Sequence, residues 1–230
     1  MASSFFVRIS ISALLTGPIG PVHSETVNST ADLSSSKRTL AYIHARPMQE
    51  LLYRLGREQD RKFGLQPECT SQYHVEPYSL AVLQPIVFPD EKANPTNGIW
   101  NFRYRLHRCG DSKIYNAMFF ASGNGETPPA PRAYYPGSTN AGPILVNDAM
   151  PSARMSAWVK AGLKDCNNSD VFDMQVTKTA HDLADNGQAL KGVWTEKWTF
   201  RTCEKTVDVD ISFIPNATGQ GTTYVITTAE

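Results

Sequence analysis

The chain has 230 residues, of which 41% are hydrophobic and 19% are charged, a composition typical of a globular protein with one large domain or two small ones. Its 22 Lys and Arg residues balance its 22 Asp and Glu residues, so the formal net charge is zero. This balance argues against a general nucleic-acid-binding protein, which needs excess positive charge to displace counterions, and no nucleic-acid partner is expected.

The first 24 residues have the pattern of an export signal peptide. Arg8 precedes a short apolar run over residues 9–20, and small or medium residues lead to an expected cleavage after Ser24. The run is too short to span a membrane, and no other stretch approaches that length. A buried N-terminal helix or strand is the alternative interpretation. Residues 25–38 are polar and Ser-rich, which predicts a disordered tether, and a periplasmic or secreted location is expected.

The first helix is predicted to begin near Pro47 and to end at Gly64. Between them, apolar residues recur at helical spacing and form a stripe of Met48, Leu51, Leu52 and Leu55. Packing of this stripe into a core is the expected role, and contact with a membrane or a partner helix is the alternative.

Sequence landmarks recur at an offset of 94 positions. The matching pairs are Gly98 and Gly192, Trp100 and Trp194, Cys109 and Cys203, Phe119 and Phe213, and Gly125 and Gly219. Ordered landmarks at one offset are what internal duplication produces. The sequence therefore predicts two tandem repeats, residues 39–136 and 137–230.

The four cysteines agree with export, because they contain no C-x-x-C pair of the kind that zinc ribbons and thioredoxin-like sites use. Duplication predicts two equivalent disulfides, Cys69–Cys109 and Cys166–Cys203, each closing a loop of about 40 residues. Pairing Cys69 with Cys166 and Cys109 with Cys203 would also respect the symmetry. By the alternation of the strands, Cys109 and Cys203 lie on the side away from the tryptophans. A bridge from either of them to the end of a helix therefore requires that alternation to break at the turn.

The second repeat is predicted to open with a helix that Asn147 or Asp148 caps. Pro151 would then lie in the first turn, and Gly162 would mark the end. Strands with one buried and one solvated face are predicted from alternation at residues 172–176, 194–201 and 207–213, with a last strand near 222–228 and its first-repeat counterpart near 132–135. The predicted fold is α+β, with two tandem repeats that each contain a helix followed by an antiparallel sheet of about four strands.

The outer faces of the two sheets are predicted to differ in charge. If Phe200 lies opposite Val209, then Arg201 lies opposite Asp208, and the second repeat neutralises its own cation.

The same register in the first repeat places three basic side chains, those of Arg103, Arg105 and His107, opposite residues that carry no carboxylate. An outer face that is both basic and apolar needs a partner. The candidate binding residues are therefore Arg103, Arg105, His107 and Met118. Packing between the two repeats is the alternative role for this face.

The sequence contains no zinc-protease, nucleophile-elbow, phosphate-loop or dinucleotide motif, so no catalytic residue, metal ligand or cofactor is assigned. A His/Asp group, His181 with Asp182 or Asp185, falls in a predicted loop at residues 179–186 and allows an envelope hydrolase as the alternative function. The leading hypothesis is an exported, non-catalytic binding protein of the bacterial periplasm or extracellular space. Its partner is expected to be a protein or an envelope component.

Overall fold

The structure, a computed structural model, describes residues 30–70, 73–162, 168–185, 188–203, 205–217 and 221–227. The first unit contains helices α1 (Thr30–His44) and α2 (Arg46–Phe63) and strands β1 (Tyr73–Val87), β2 (Asn97–Arg108), β3 (Asp111–Ala121) and β4 (Pro131–Tyr134). The second unit contains α3 (Pro143–Ala161), β5 (Ser169–Asp185), β6 (Gln188–Thr202), β7 (Lys205–Pro215) and β8 (Thr222–Thr227). Each unit has an antiparallel four-stranded sheet with its strands in sequence order, so the predicted α+β fold is confirmed.

Helix α2 begins and ends as the sequence predicts. Pro47 lies in its first turn, and Gly64 caps its end in the left-handed conformation with a φ of 60°. On the buried side of the helix, Met48 and Leu52 join the core of the first sheet, and Phe63 packs edge-on against Phe172 of β5 at 5.3 Å.

Helix α1 differs from the sequence prediction, because it begins at Thr30, inside the stretch expected to be a disordered tether. Thr39 and Ile43 are buried, and Ile43 joins the first hydrophobic core. Burial of Ile43 in that core anchors the C-terminal part of the helix, which follows the stretch expected to be disordered. The predicted signal peptide lies outside the described residues.

The predicted start of the second helix is wrong by about one and a half turns. Helix α3 begins at Pro143, whose fixed φ suits a first helical residue, and Pro151 lies inside the helix with its ring exposed. Buried residues on both sides of Pro151 offset the hydrogen bond that proline removes, among them Val146, Ala149, Ala153 and Ala157. Gly162 ends the helix as expected, with a φ of 64°.

The duplicated tryptophans occupy equivalent places in the two cores. Trp100 stacks on Phe119 with ring centroids 5.0 Å apart, and Trp194 stacks on Phe213 at the same distance. Each pair lies directly across two neighbouring strands. The structural equivalence of the two sheet units is therefore confirmed at these landmarks.

Both central hairpins turn more tightly than expected, which shifts the predicted register by two residues. Arg108 pairs with Asp111, and Thr202 pairs with Lys205, so two residues separate the strands in each turn. Phe200 consequently lies opposite Val207. On the outer faces, Arg201 lies opposite Thr206, Thr199 opposite Asp208, Arg103 opposite Asn116, Arg105 opposite Ile114, and His107 opposite Ser112.

The tight turn also explains the first disulfide. Cys109 adopts a φ of 42°, which breaks the alternation of β2 and brings its sulfur to Cys69 after the end of α2. The predicted Cys69–Cys109 bridge is confirmed. Cys166 lies outside the described residues, so the second bridge stays a prediction.

Candidate binding surface

Four side chains gather on the outer face of the first sheet, and we call them the outer cluster: His74, Glu76, Arg105 and His107. His74 lies opposite His107 across β1 and β2, and Glu76 lies opposite Arg105. The carboxylate of Glu76 contacts Arg105 Nη1 at 3.2 Å and His107 Nε2 at 2.6 Å. The expectation that no carboxylate faces these cations is wrong, because it considered the β3 neighbours alone and β1 pairs with the other edge of β2.

Water reaches the outer cluster. The side chains of Glu76, Arg105 and His107 are 43%, 31% and 40% exposed. The pKa of Glu76 is lowered by the hydrogen bond with His107 and, to a smaller extent, by the charge of Arg105. The His74 and His107 rings stack at 5.8 Å, and the Arg105 guanidinium lies 5.2 Å from the Tyr78 ring centroid. The cluster is therefore an ordered group of charges on an accessible surface.

Two of the predicted binding residues lie outside the outer cluster, since Arg103 contacts the segment that joins the units and Met118 is buried. Arg103 donates hydrogen bonds to Asn116 Oδ1 and to the carbonyl of Thr139, both at 3.0 Å, and burial lowers the pKa of its guanidinium. Met118 is only 6% exposed. The structure thus gives Arg103 the alternative role, a contact toward the second repeat.

The segment that joins the two units is tightly held. Gly137 has a φ of 95°, and a Cβ atom there would lie 2.3 Å from the backbone nitrogen of Met174, so a larger residue does not fit. Ser138 donates its backbone N–H to the carbonyl of Met174. Asn140 donates its backbone N–H to the fully buried carboxylate of Glu196 at 2.8 Å. The joining segment therefore fixes β5 and β6 beside the first sheet.

An open cleft of about 520 Å³ lies between the two units. Its walls come from both units and consist of Arg105, Ser112, Lys113, Ile114, Gly137, Ser138, Asp173, Met174, Gln175 and Val176. Lys113 Nζ lies 3.3 Å from Asp173 Oδ1 across the cleft, and burial lowers the pKa of Lys113 against the opposing effect of that carboxylate. Arg105 belongs both to this cleft and to the outer cluster, so the two features form one continuous surface.

A buried ion pair under the hairpin turn was missed by the sequence reasoning. Arg108 Nε lies 3.1 Å from Asp60 Oδ2, with both side chains almost fully buried, and Tyr115 donates its hydroxyl hydrogen to the same carboxylate. Burial raises the pKa of Asp60 against the opposing effects of Tyr115 and Arg108. Arg108 has the same parity along β2 as Trp100, and this parity is the sequence signal for its inward position. Because neither side chain reaches water, the pair belongs to the interior of the fold and not to a binding surface.

The predicted loop at residues 179–186 is strand through Asp185. β6 pairs with β7 only from Trp194 onward, so β5 and β6 extend beyond the sheet as a two-stranded arm, residues 177–185 and 188–193. His181 Nδ1 contacts the carbonyl of Thr179 at 2.8 Å, and Asp182 accepts a hydrogen bond from the backbone N–H of Gly192. The side chain of Asp185 lies outside the described residues. His181 and Asp182 thus engage the backbone of the arm itself.

Comparisons with protein families, curated proteins and solved structures find no match to this chain. No helix within the described ranges is long and apolar enough to cross a membrane. Those ranges also contain no group of three or more His, Cys, Asp and Glu side chains placed to hold a metal ion. The function is therefore argued from the surface itself.

Proposed function

We propose that this protein is an exported, non-catalytic binding protein of the bacterial periplasm or extracellular space. It engages a protein or an envelope component through the outer cluster and the adjoining cleft. The observation that supports this proposal is the position of Arg105, which is partly exposed, oriented by Glu76 and Tyr78, and part of the wall of the cleft. A fixed guanidinium at the mouth of a cleft suits recognition of an anionic group on a partner.

The environment of these charges favours binding over catalysis. Catalytic groups gain their strength from water exclusion and preorganisation, whereas the outer cluster is open to solvent. Exposed charges of this kind steer association and select partners. The hydrolase alternative has less support, because His181 and Asp182 lie on the arm and contact its own backbone.

Export is supported by the Cys69–Cys109 disulfide, since such bonds persist in oxidising compartments. The N-terminal signal pattern adds to this part of the proposal.

Affinity capture with matched variants tests the proposed function. The full chain, Arg105→Ser and the control Arg46→Ser are immobilised and exposed to periplasmic and secreted extracts of the producing cell. Arg46 is a suitable control because it is a highly exposed cation with one carboxylate partner, Glu50, at 2.9 Å. The expected result is a set of components retained by the wild type and by Arg46→Ser and lost from Arg105→Ser. Equal retention on all three proteins would contradict the proposal.

A further inference from the structure

We infer that the partner contacts the outer cluster with an acidic polypeptide segment, and that His74 and His107 make this contact stronger as the pH falls. This inference rests on the proposed function and names the chemistry of the partner and the regulation of the same surface.

The two histidines are placed to act together. They are direct cross-strand neighbours on the outer face, with their rings stacked at 5.8 Å. His74 is exposed, and the side chain of His107 is 40% exposed. A ligand on this face therefore meets both imidazoles together with Arg105, which is two residues from His107 on the same side of β2.

The charge of this face depends on the protonation of the histidines. Arg105 contributes one positive charge and Glu76 one negative charge, so these two sum to zero. Imidazole side chains change their charge between about pH 5 and 8, and protonation of His74 and His107 adds two positive charges. The lowered pKa of Glu76 keeps its carboxylate ionised through that range. Protonation of both imidazoles therefore turns the face from neutral to cationic.

The remaining charged groups near the cluster do not cancel this change. Lys113 and Asp173 in the cleft pair with each other at 3.3 Å. On the inward side of β2, Arg108 pairs with buried Asp60 and also lies 3.5 Å from Asp111. Arg103, on the outer face, is occupied by Asn116 and Thr139. On β3, the residue that faces His107 is the uncharged Ser112.

A polypeptide segment fits this surface better than a lipid bilayer does. Arg105 lies in the wall of a cleft of about 520 Å³, and one acidic side chain can enter such a space while the rest of the segment crosses the face. A bilayer surface is flat and cannot follow the cleft inward. Tyr78 lies beside Arg105, is 50% exposed and offers apolar contact area to such a segment. Tyrosine is enriched in protein–protein interfaces.

Calorimetric titration of the full chain with poly-L-aspartate tests the inference. This probe stays ionised at the pH values used, because aspartate carboxyls ordinarily titrate near pH 3.9. Between about pH 7.5 and 5.5 at constant ionic strength, affinity is expected to rise about tenfold, the equivalent of two exposed charge contacts. The double variant His74→Gln/His107→Gln should lose this rise and keep the weaker binding at the higher pH. His181→Gln, a histidine on the arm, should behave like the wild type.

Each alternative outcome has a defined meaning. Equal affinity at both pH values, or a rise that persists in the double variant, overturns the inference. Stronger binding to vesicles of phosphatidylglycerol and phosphatidylcholine than to poly-L-aspartate, with the same histidine dependence, assigns the surface to membranes and also overturns it. Circular dichroism at both pH values establishes that the variants are folded, and the single variants replace the double variant if it is not. If capture from extracts depends on Arg105 while these titrations fail, the proposed function stands without the inference.

Discussion

The two units place different chemistry at the same position of the same hairpin. In the first unit, the last residue of β2 is Arg108, which forms a buried ion pair with Asp60 on α2. In the second unit, the last residue of β6 is Thr202, whose hydroxyl lies 3.0 Å from that of Ser169. All four side chains are buried. The comparison shows that the same inward position holds a buried ion pair in one unit and a neutral hydroxyl pair in the other.

A second difference lies in the centre of the two cores. Glu196 is fully buried and accepts hydrogen bonds from Trp194 Nε1 at 2.9 Å and Trp198 Nε1 at 2.8 Å. Its counterpart at the offset of 94 is Phe102. Within the described part of the chain, the indole nitrogen of Trp100 and the hydroxyl of Tyr104 have no hydrogen-bond partner. The two indoles of β6 are therefore satisfied by one buried carboxylate, whereas Trp100 and Tyr104 on β2 have no such acceptor.

The connections between the first two strands of each unit also differ. The β1–β2 connection turns back toward α1, where Phe88 packs edge-on against Tyr42 at 5.3 Å and lies under Arg38. In the second unit, α3 is the only helix among the described residues, and the equivalent hairpin continues as the arm. The β1–β2 connection thus has contacts with a helix, and the arm of the second unit extends beyond the strands that pair with β7.

Truncation of the duplicated tryptophans is expected to have the largest effect on stability. Trp100 is fully buried, so Trp100→Ala should cost about 3–5 kcal/mol. Trp194→Ala should cost less, because Trp194 is partly exposed. Urea denaturation of both variants gives the two free energies of unfolding. An equal or greater loss at Trp194 would show that the two positions contribute alike despite their different exposure.

Breaking the buried ion pair sharpens the hairpin comparison. Arg108→Met leaves the Asp60 carboxylate buried without its cation and should cost about 3–5 kcal/mol. Thr202→Val removes a neutral hydrogen bond and should cost about 1 kcal/mol. Adding Asp60→Leu to Arg108→Met should restore part of the loss in denaturant titrations. Similar losses for the two single variants would contradict the distinction between the units.

The disulfides test whether the duplication extends to the covalent structure. Peptide mapping of the non-reduced protein should recover Cys69 linked to Cys109, and Cys166 linked to Cys203. Replacing Cys69 and Cys109 by Ala should lower the unfolding free energy by about 4 kcal/mol, the loop-closure value for a separation of 40 residues. Recovery of Cys166 as a free thiol would end the covalent equivalence of the repeats.

Substitution of Arg103 and of Arg105 is expected to change the stability of the protein by different amounts, although the two residues are only two positions apart on one face. Arg103→Ser should cost about 1–3 kcal/mol, because Asn116 and the carbonyl of Thr139 lose a charged donor. Arg105→Ser should change stability by less than about 0.5 kcal/mol, as exposed charges do. Thermal melts of both variants make the comparison, and a large loss from Arg105→Ser would place that residue in the fold instead of the binding surface.

The last prediction is a gain in stability. Tyr104→Phe removes a buried hydroxyl that has no hydrogen-bond partner in the described residues and should stabilise the protein by about 1 kcal/mol. Tyr115→Phe is the matched control and should destabilise it, because that hydroxyl donates to Asp60. A loss from Tyr104→Phe similar to that from Tyr115→Phe would mean that both hydroxyls are satisfied.

Much of the fold follows from local patterns in the sequence. Gly64 and Gly162 mark helix ends because glycine adopts the left-handed conformation at little cost. The alternation along β2 and β6 places Trp100 and Trp198 inward, and the repeat spacing predicts the first disulfide. The glycines and the strand alternation are local patterns that lie within a few residues of the features they predict. The disulfide was predicted because the same cysteine spacing occurs in both repeats.

The candidate surface depended on contacts that no local pattern records. Glu76 precedes Arg105 by 29 positions and meets it only because β1 pairs with β2 in a register that contains bulges. Pro151 stays inside a helix because the core buries residues on both sides of it. The sequence determined which side of each strand faces inward, since that is a property of the backbone repeat. Tertiary structure decided which charges meet, because strand pairing brings together residues that are distant along the chain.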